Sequence, residues 1–269
     1  MSTFLTTSDL QRKAPSIFTV GCSQRTSDKY QPIPTVTIIE NLKREGFMPT
    51  AASQSHSRLE NKKAYTKHLV RFRHCDTEAT KSQLVPEIIL INSHDGLSSY
   101  RLLAGIYRLV CSNGLVAGYT YDDIRVRHQG DIIGNVIDGT HTIINNAHTL
   151  IETTEKMSSV QLNSEEKLCF ADAAHSLRFD DSDIGQAIES KKLLAVRRAS
   201  EVNKNDLFTV FNVVQENVIK GGVRGYARNT NGRIKRVSTR EVKGIDQNTL
   251  LNRSLWTLAE KMMQLKGVV

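Results

Sequence analysis

Near Gly130 the spacing of apolar residues changes from a period of about two to one near 3.6, and this switch constrains the fold more than any single residue does. Ahead of it, the segment from Lys67 to His74 alternates, with Val70 and Phe72 on one side of a strand and Arg71 and Arg73 on the other. Val85 to Asn92 is a nearly continuous apolar run, the pattern of a strand buried on both faces. Tyr100 to Leu115 predicts one or two strands, interrupted at Gly105 and ending at the turn-forming Ser112-Asn113-Gly114. Ile124 to His128 alternates again, with Ile124 and Val126 inward and Arg125 and Arg127 outward. Ahead of these strands, Pro34-Thr35 predicts the cap of a short helix with Val36, Ile39 and Leu42 on one face, Lys43 and Arg44 in its last turn and Gly46 at its end.

Behind Gly130, Ile133, Val136, Ile137, Ile144, Ala147, Leu150 and Ile151 follow the helical period. A further helix opens at Ser164-Glu165-Glu166, where Asn163 or Ser164 can cap and acidic residues suit the first turn, and runs to about Phe179. Asp180-Asp181-Ser182-Asp183 reads as a break and a cap. It leads into helices over roughly 183–218, with Leu193, Leu194, Val196, Leu207, Phe208, Phe211, Val214 and Val218 as core candidates. A last helix, 249–265, holds the single tryptophan, Trp256. The expectation is an α+β protein, mainly an antiparallel sheet in the N-terminal half with packed helices in the C-terminal half. Residues 1–34, polar and with prolines at 15, 32 and 34, are expected as an arm. A strand-rich core then covers 35–130 and a helical region 131–269, the whole making one large domain or a main domain with a helical extension.

The charge is unevenly placed. Between Lys220 and Lys243 lie eight Lys or Arg and one Glu, a net +7 against +8 for the whole 269-residue chain. This segment also holds four glycines and Tyr226, and is expected to be a flexible loop whose backbone can approach a ligand closely. Lys220, Arg224, Arg228, Arg233, Lys235, Arg236 and Arg240 are candidate phosphate contacts, and Tyr226 a candidate stacking ring, because a guanidinium donates two parallel hydrogen bonds and each neutralised phosphate releases counterions. Arg71, Arg73, Arg125 and Arg127 would form a second basic surface if their strands are neighbours; the alternative is that each pairs with Asp or Glu. Tyr65, Tyr100, Tyr107, Tyr119 and Tyr121 are further aromatic candidates, at least one of them expected in the core.

Signals for catalysis are weak. Neither GxGxxG after a strand nor a phosphate-binding GxxxxGK loop occurs, and GxSxG and HExxH are absent. His141 and His148 are two helical turns apart, and His68 and His74, about 20 Å apart along a strand, cannot chelate together. His94-Asp95 is explained by turn chemistry, and the Asp180–Asp183 run lacks calcium-loop spacing. No metal, cofactor or catalytic residue is assigned. Cys22, Cys75, Cys111 and Cys169 include no CxxC pair and are expected as buried free thiols. No apolar run is long enough to span a membrane and the N-terminus lacks a signal pattern, so the cytoplasm is the expected location.

Three blocks carry a family resemblance: Tyr65-Thr66-Lys67-His68-Leu69-Val70-Arg71-Phe72-Arg73-His74, Asn92-Ser93-His94-Asp95-Gly96 and Tyr107-Arg108-Leu109-Val110-Cys111-Ser112-Asn113-Gly114-Leu115. In content and spacing they resemble the phage/plasmid-like family known as domain of unknown function 932, and the similarity continues toward the basic segment. The resemblance implies a protein of prophages, plasmids or other mobile elements, found near recombination or anti-restriction genes, and it supplies no catalytic residue. The blocks themselves are accounted for as fold determinants, Asn92 with Asp95 fixing one turn and Asn113-Gly114 another. With the basic segment, the expected function is that of a DNA-binding accessory protein, acting on single strands in recombination or annealing and compatible with self-association. The alternative is a counter-defence or regulatory protein that binds a host protein. A nuclease drawing on Asp95 or Asp181 is the lesser reading.

Overall fold

The computed structural model of the chain describes residues 4–21, 30–57, 59–77, 80, 83–95, 98–109, 113–118, 121–179, 187–228 and 233–268. The chain forms two compact units, Met1–Leu150 and Ile151–Val269. The fold is α+β, with an antiparallel sheet in the N-terminal half and helices in the C-terminal half. Among the described residues no helix is long and apolar enough to cross a membrane.

The first unit is built on strands β1 (Phe47–Gln54), β2 (His68–His74), β3 (Leu84–Asn92), β4 (Tyr100–Arg108), β5 (Asn113–Val116) and β6 (Asp123–Val126). They pair antiparallel in the order β1-β2-β3-β4-β5, with β6 also on β4. The registers Val70↔Leu90, Leu90↔Leu102 and Leu102↔Ile124 put these residues on one face, as the alternation requires. Three helices pack on that face: α1 (Thr7–Lys13), α2 (Thr35–Arg44) and α4 (Ile132–Asn145). A one-turn α3 (Glu60–Lys63) lies between β1 and β2 in sequence. Gly139 of α4 has no side chain to keep it from the sheet: a Cβ there would lie 2.8 Å from Leu102 Cδ1.

Several expectations change. The N-terminal segment is not an arm, since Leu10, Ala14 and Ile17 are fully buried and a capping box, with Thr6 and Asp9 satisfying each other's backbone, starts α1. The helix from Ile132 packs on the sheet, so the boundary between units falls at residue 150 and not near 130. β1 gave no strand signal because it holds Pro49 and small polar residues; it is an edge strand whose register shifts between Pro49 and Ala51. Thr35 does not cap α2, whose N-cap is Pro34, and its side chain turns inward instead.

The second unit packs α6 (Ser164–Arg178), α7 (Leu207–Lys220) and α8 (Ile245–Leu265) together, after α5 (Ala147–Ser159), which spans the boundary in sequence. Asn163 caps α6 as expected, with Glu166 completing the box. Every residue of α7 from Leu207 to Ile219 is buried, which makes it the central helix of the unit. Several of its polar side chains are tied in: Gln215 Nε2 donates to Asn252 Oδ1 and Asn217 Nδ2 to the Leu193 carbonyl. Trp256 stands edge-on to Phe211 at 5.7 Å. Residues 190–194 and 199–201 form short 3₁₀ turns in place of the expected helices, and the Asp180–Asp183 run lies outside the described residues.

Candidate nucleic-acid interface

The basic segment is a β-hairpin, not a loop. Gly221 and Gly222 adopt left-handed φ of 66° and 81° where α7 ends. Strands β7 (Arg224–Arg228) and β8 (Ile234–Ser238) then pair antiparallel; the connecting residues 229–232 lie outside the described residues. The glycines serve this geometry more than any ligand. A Cβ on Gly221 would lie 2.6 Å from the Arg240 backbone, and one on Gly225 would overlap the Ala187 carbonyl.

Pairing sorts the side chains by face. The register Arg224↔Ser238, Tyr226↔Arg236 and Arg228↔Ile234 places three arginines, Tyr226 and Ile234 on one face. All are exposed, Tyr226 by 67% and Ile234 by 69%, an unusual amount for a ring and an aliphatic side chain on a short strand. The opposite face carries Gly225 and Val237, and Gly225 lies against Ala187 and Ile188. Lys192 Nζ stands 5.8 Å from the Tyr226 ring centroid. Among the described residues, Arg224, Arg228, Lys235, Arg236 and Arg240 have no carboxylate partner. Lys220 is different: its Nζ lies 2.7 Å from Glu216, which also accepts from Arg198 at 2.6 Å. Burial would raise the Glu216 pKa, but bonds from Arg198 and Lys220 hold it well below the usual carboxylate range. Lys220 is therefore part of a structural ion cluster, not a free phosphate ligand.

The second basic surface does not form. β2 and β6 are separated by β3 and β4, so their arginines are not neighbours. Arg125 and Arg127 are exposed, beside a groove between β6 and α4. Arg71 and Arg73 do leave the Val70 face, but the opposite face is largely buried where they lie. Both clamp Glu87, which is fully buried, with nitrogen–oxygen distances of 2.8 Å. The sheet curls so far that Arg71 Nη2 also donates to the Gly114 carbonyl of β5 at 3.2 Å, and the Arg73 guanidinium stacks 3.8 Å from the Tyr107 ring centroid.

A further polar cluster went unread in the sequence. Thr35 Oγ1 accepts from Asn92 Nδ2 at 3.0 Å and lies 2.8 Å from His68 Nε2 and 3.2 Å from His94 Nε2. His68 Nδ1 is 3.0 Å from Ser16 Oγ, and His128 Nε2 is 3.0 Å from Asn92 Oδ1. Tyr30 stacks on His128, and Tyr100, buried as one tyrosine was expected to be, lies on it too. Burial first, and then the neighbouring His94, push the His68 pKa down to about 3; burial and His128 push His94 to about 4. Burial lowers His128 as well. Rings so hard to protonate are poor acid–base catalysts near neutrality, so the cluster reads as a hydrogen-bonded core. Period-two counting could have found it: His68 precedes Val70 by two, Asn92 follows Leu90 by two, and His128 follows Val126 by two.

Cys75 and Cys169 are free, as expected, but exposed, contrary to the expectation of burial; Cys22, Cys111 and Tyr119 lie outside the described residues.

The chain matches the model of the family described as Domain of unknown function (DUF932) over residues 24–256. It is 39% identical over 259 residues to the UPF0380 protein YfjQ of Escherichia coli (strain K12), covering 96% of this chain and 92% of that protein. The UPF0380 protein YafZ of the same strain is equally similar, at 39% over 259 residues. No solved structure matches. Both the length of the family match and the coverage of the relatives place this chain in the DUF932 family.

Proposed function

We propose that the chain is a DNA-binding accessory protein, of the kind mobile elements carry, and that it holds nucleic acid on the exposed face of the β7–β8 hairpin. The observation that carries this reading is the grouping of Arg224, Arg228 and Arg236 around the exposed Tyr226 and Ile234 with no carboxylate partner among the described residues. Guanidinium groups held on a short ribbon can follow a phosphate backbone, and an exposed ring and aliphatic side chain between them offer surfaces to unstacked bases, which favours single strands. Arg233 and Arg240 flank this face and the exposed Lys235 lies on the other face of the ribbon, opposite Ala227, while Lys220, Arg71 and Arg73 have no part in it. Arg125 and Arg127 are secondary candidates.

The test is binding of the purified chain to labelled single- and double-stranded DNA across a salt series. Replacing Arg224, Arg228 and Arg236 by alanine is expected to flatten the slope of log K against log salt by about 2–3, at roughly 0.7–0.9 for each phosphate left unneutralised. Tyr226→Ala is expected to cost about 1–3 kcal/mol on single strands and much less on duplex. Absence of salt-sensitive binding in the wild type would overturn the reading, and an unchanged slope in the triple variant would remove the hairpin from it.

A further inference from the structure

At the end of β2 three successive side chains of different metal-ligating chemistry converge. The strand finishes at His74 and the chain turns at Cys75 and Asp76, with the Thr77 amide donating to the His74 carbonyl at 3.1 Å. In a continuing strand these side chains would alternate between faces; the turn gathers them instead. Cys75 Sγ lies 3.6 Å from Asp76 Oδ1, and His74 Nδ1 lies 3.8 Å from Asp76 Oδ2. One ligand atom from each of the three residues lies within 4.8 Å of those of the other two. A tetrahedral zinc ion, with bonds of about 2.0–2.3 Å, separates its ligands by roughly 3.3–3.8 Å, so the three groups need to close by no more than about 1.5 Å.

Two neighbouring features support the arrangement. The His74 ring is half-buried and stands edge-on to the buried Phe47 at 5.0 Å, which fixes its orientation. Beneath it is Gly46 at φ 83°, where a Cβ would lie 2.8 Å from His74 Nε2 and 3.2 Å from Cys75 Sγ. Any other residue at 46 would press on both the imidazole and the thiol. The Asp76 amide reaches His74 Nδ1 only over a long 3.3 Å, a weak bond that an ion bound at that nitrogen would displace.

We propose that His74, Cys75 and Asp76 form a binding site for a borderline divalent cation, Zn²⁺ above all, with three ligands from the chain and a fourth position open to water or to a partner's ligand. Thiolate and imidazole select such an ion over Mg²⁺ or Ca²⁺, which take oxygen ligands. Asp76, 85% exposed in its side chain, and the exposed Cys75 leave the outer side of the site accessible. On binding, the sulfur–hydrogen bond of Cys75 breaks, a sulfur–metal bond forms and the proton leaves to solvent. The site is independent of the hairpin and of DNA binding.

The probe is Co²⁺, titrated into the reduced full-length chain. One ion per chain is expected, with thiolate-to-cobalt absorption in the near ultraviolet, visible bands of tetrahedral cobalt, release of about one proton per ion and displacement by Zn²⁺. Cys75→Ser should abolish the near-ultraviolet band, whereas Cys169→Ser should keep it. Asp76→Asn, at an exposed position with little bearing on folding, should weaken binding at least as much as the roughly 10–100-fold that loss of an outer-shell partner costs. No cobalt–thiolate band in the wild type, or an unchanged band in Cys75→Ser, would overturn the site. Unchanged affinity in Asp76→Asn would overturn the three-ligand arrangement.

Discussion

Lowering the pH from 7 to 5 is expected to cost the first unit about 2 kcal/mol for each of His68 and His94. The sign follows from the burial of both rings. Their folded pKa values, about 3 and about 4, lie below the value near 6.5 that each takes in the unfolded chain. Above pH 6.5 both states are neutral and nothing is lost. As the pH falls through 6.5 the unfolded chain takes up protons that the folded chain refuses, and stability drops until the folded rings also protonate near pH 4 to 3. The groups around them do not rescue the charged form: Thr35, Asn92 and Ser16 are neutral, His128 is itself hard to protonate, and the attraction of Asp95 for His94 is outweighed by burial. Against a typical total of 5–15 kcal/mol the loss is large. Urea unfolding followed by circular dichroism between pH 7.5 and 4.5 measures it. His94→Gln, which can still hydrogen-bond with Thr35 Oγ1 but cannot ionise, should remove its share of the slope. Constant stability from pH 7 to 5 would show that the imidazoles are not held neutral.

How much of this was readable depends on which force placed each residue. The period switch was legible because backbone geometry alone puts alternate strand residues on opposite faces, so Val70, Leu90 and Leu102 could be assigned inward without knowing their partners. Parity also sent Arg71 and Arg73 to the other face correctly. What failed was the assumption that this face meets water, because the curl that closes it over Glu87 comes from β5 reaching back to β2, across 43 residues of sequence. One local sign was available: Glu87 sits within the apolar run from Leu84 to Asn92, where an acidic residue needs a cationic partner. The hairpin was hidden for the opposite reason. Its outer face carries Arg224, Arg228 and Arg236 and its inner face Gly225, Ala227, Lys235 and Val237, so there is little apolar alternation to count. The concentration of charge was visible, while the two-faced ribbon that presents it came from packing at Gly225.

Glu87→Gln is expected to destabilise the first unit by about 3–5 kcal/mol, the cost of leaving buried charges without their counter-ion. The carboxylate is fully buried, and Arg71 and Arg73 beside it are only 11% and 7% exposed, so removing one negative charge strands two guanidinium groups. Glutamine fills the same volume and its amide oxygen can accept one hydrogen bond, which separates the loss of charge from the loss of packing. The rest of the network limits relaxation: Thr50 Oγ1 donates to Glu87 at 3.3 Å, Arg71 is tied to the Gly114 and Leu115 carbonyls, and Arg73 lies on the Tyr107 ring. Because the three charges act as a unit, Glu87→Gln combined with Arg73→Met should cost clearly less than the sum of the two single changes. The arginine whose counter-ion has gone contributes only a penalty, and methionine relieves it while keeping an apolar contact with Tyr107. Denaturant midpoints for the two singles and the double variant give the coupling directly. A single-variant loss below about 1 kcal/mol would place Glu87 in contact with water and restore Arg71 and Arg73 as surface groups. A coupled loss of several kcal/mol would establish that these arginines hold the sheet closed and that the basic surface available to a ligand lies elsewhere on the chain.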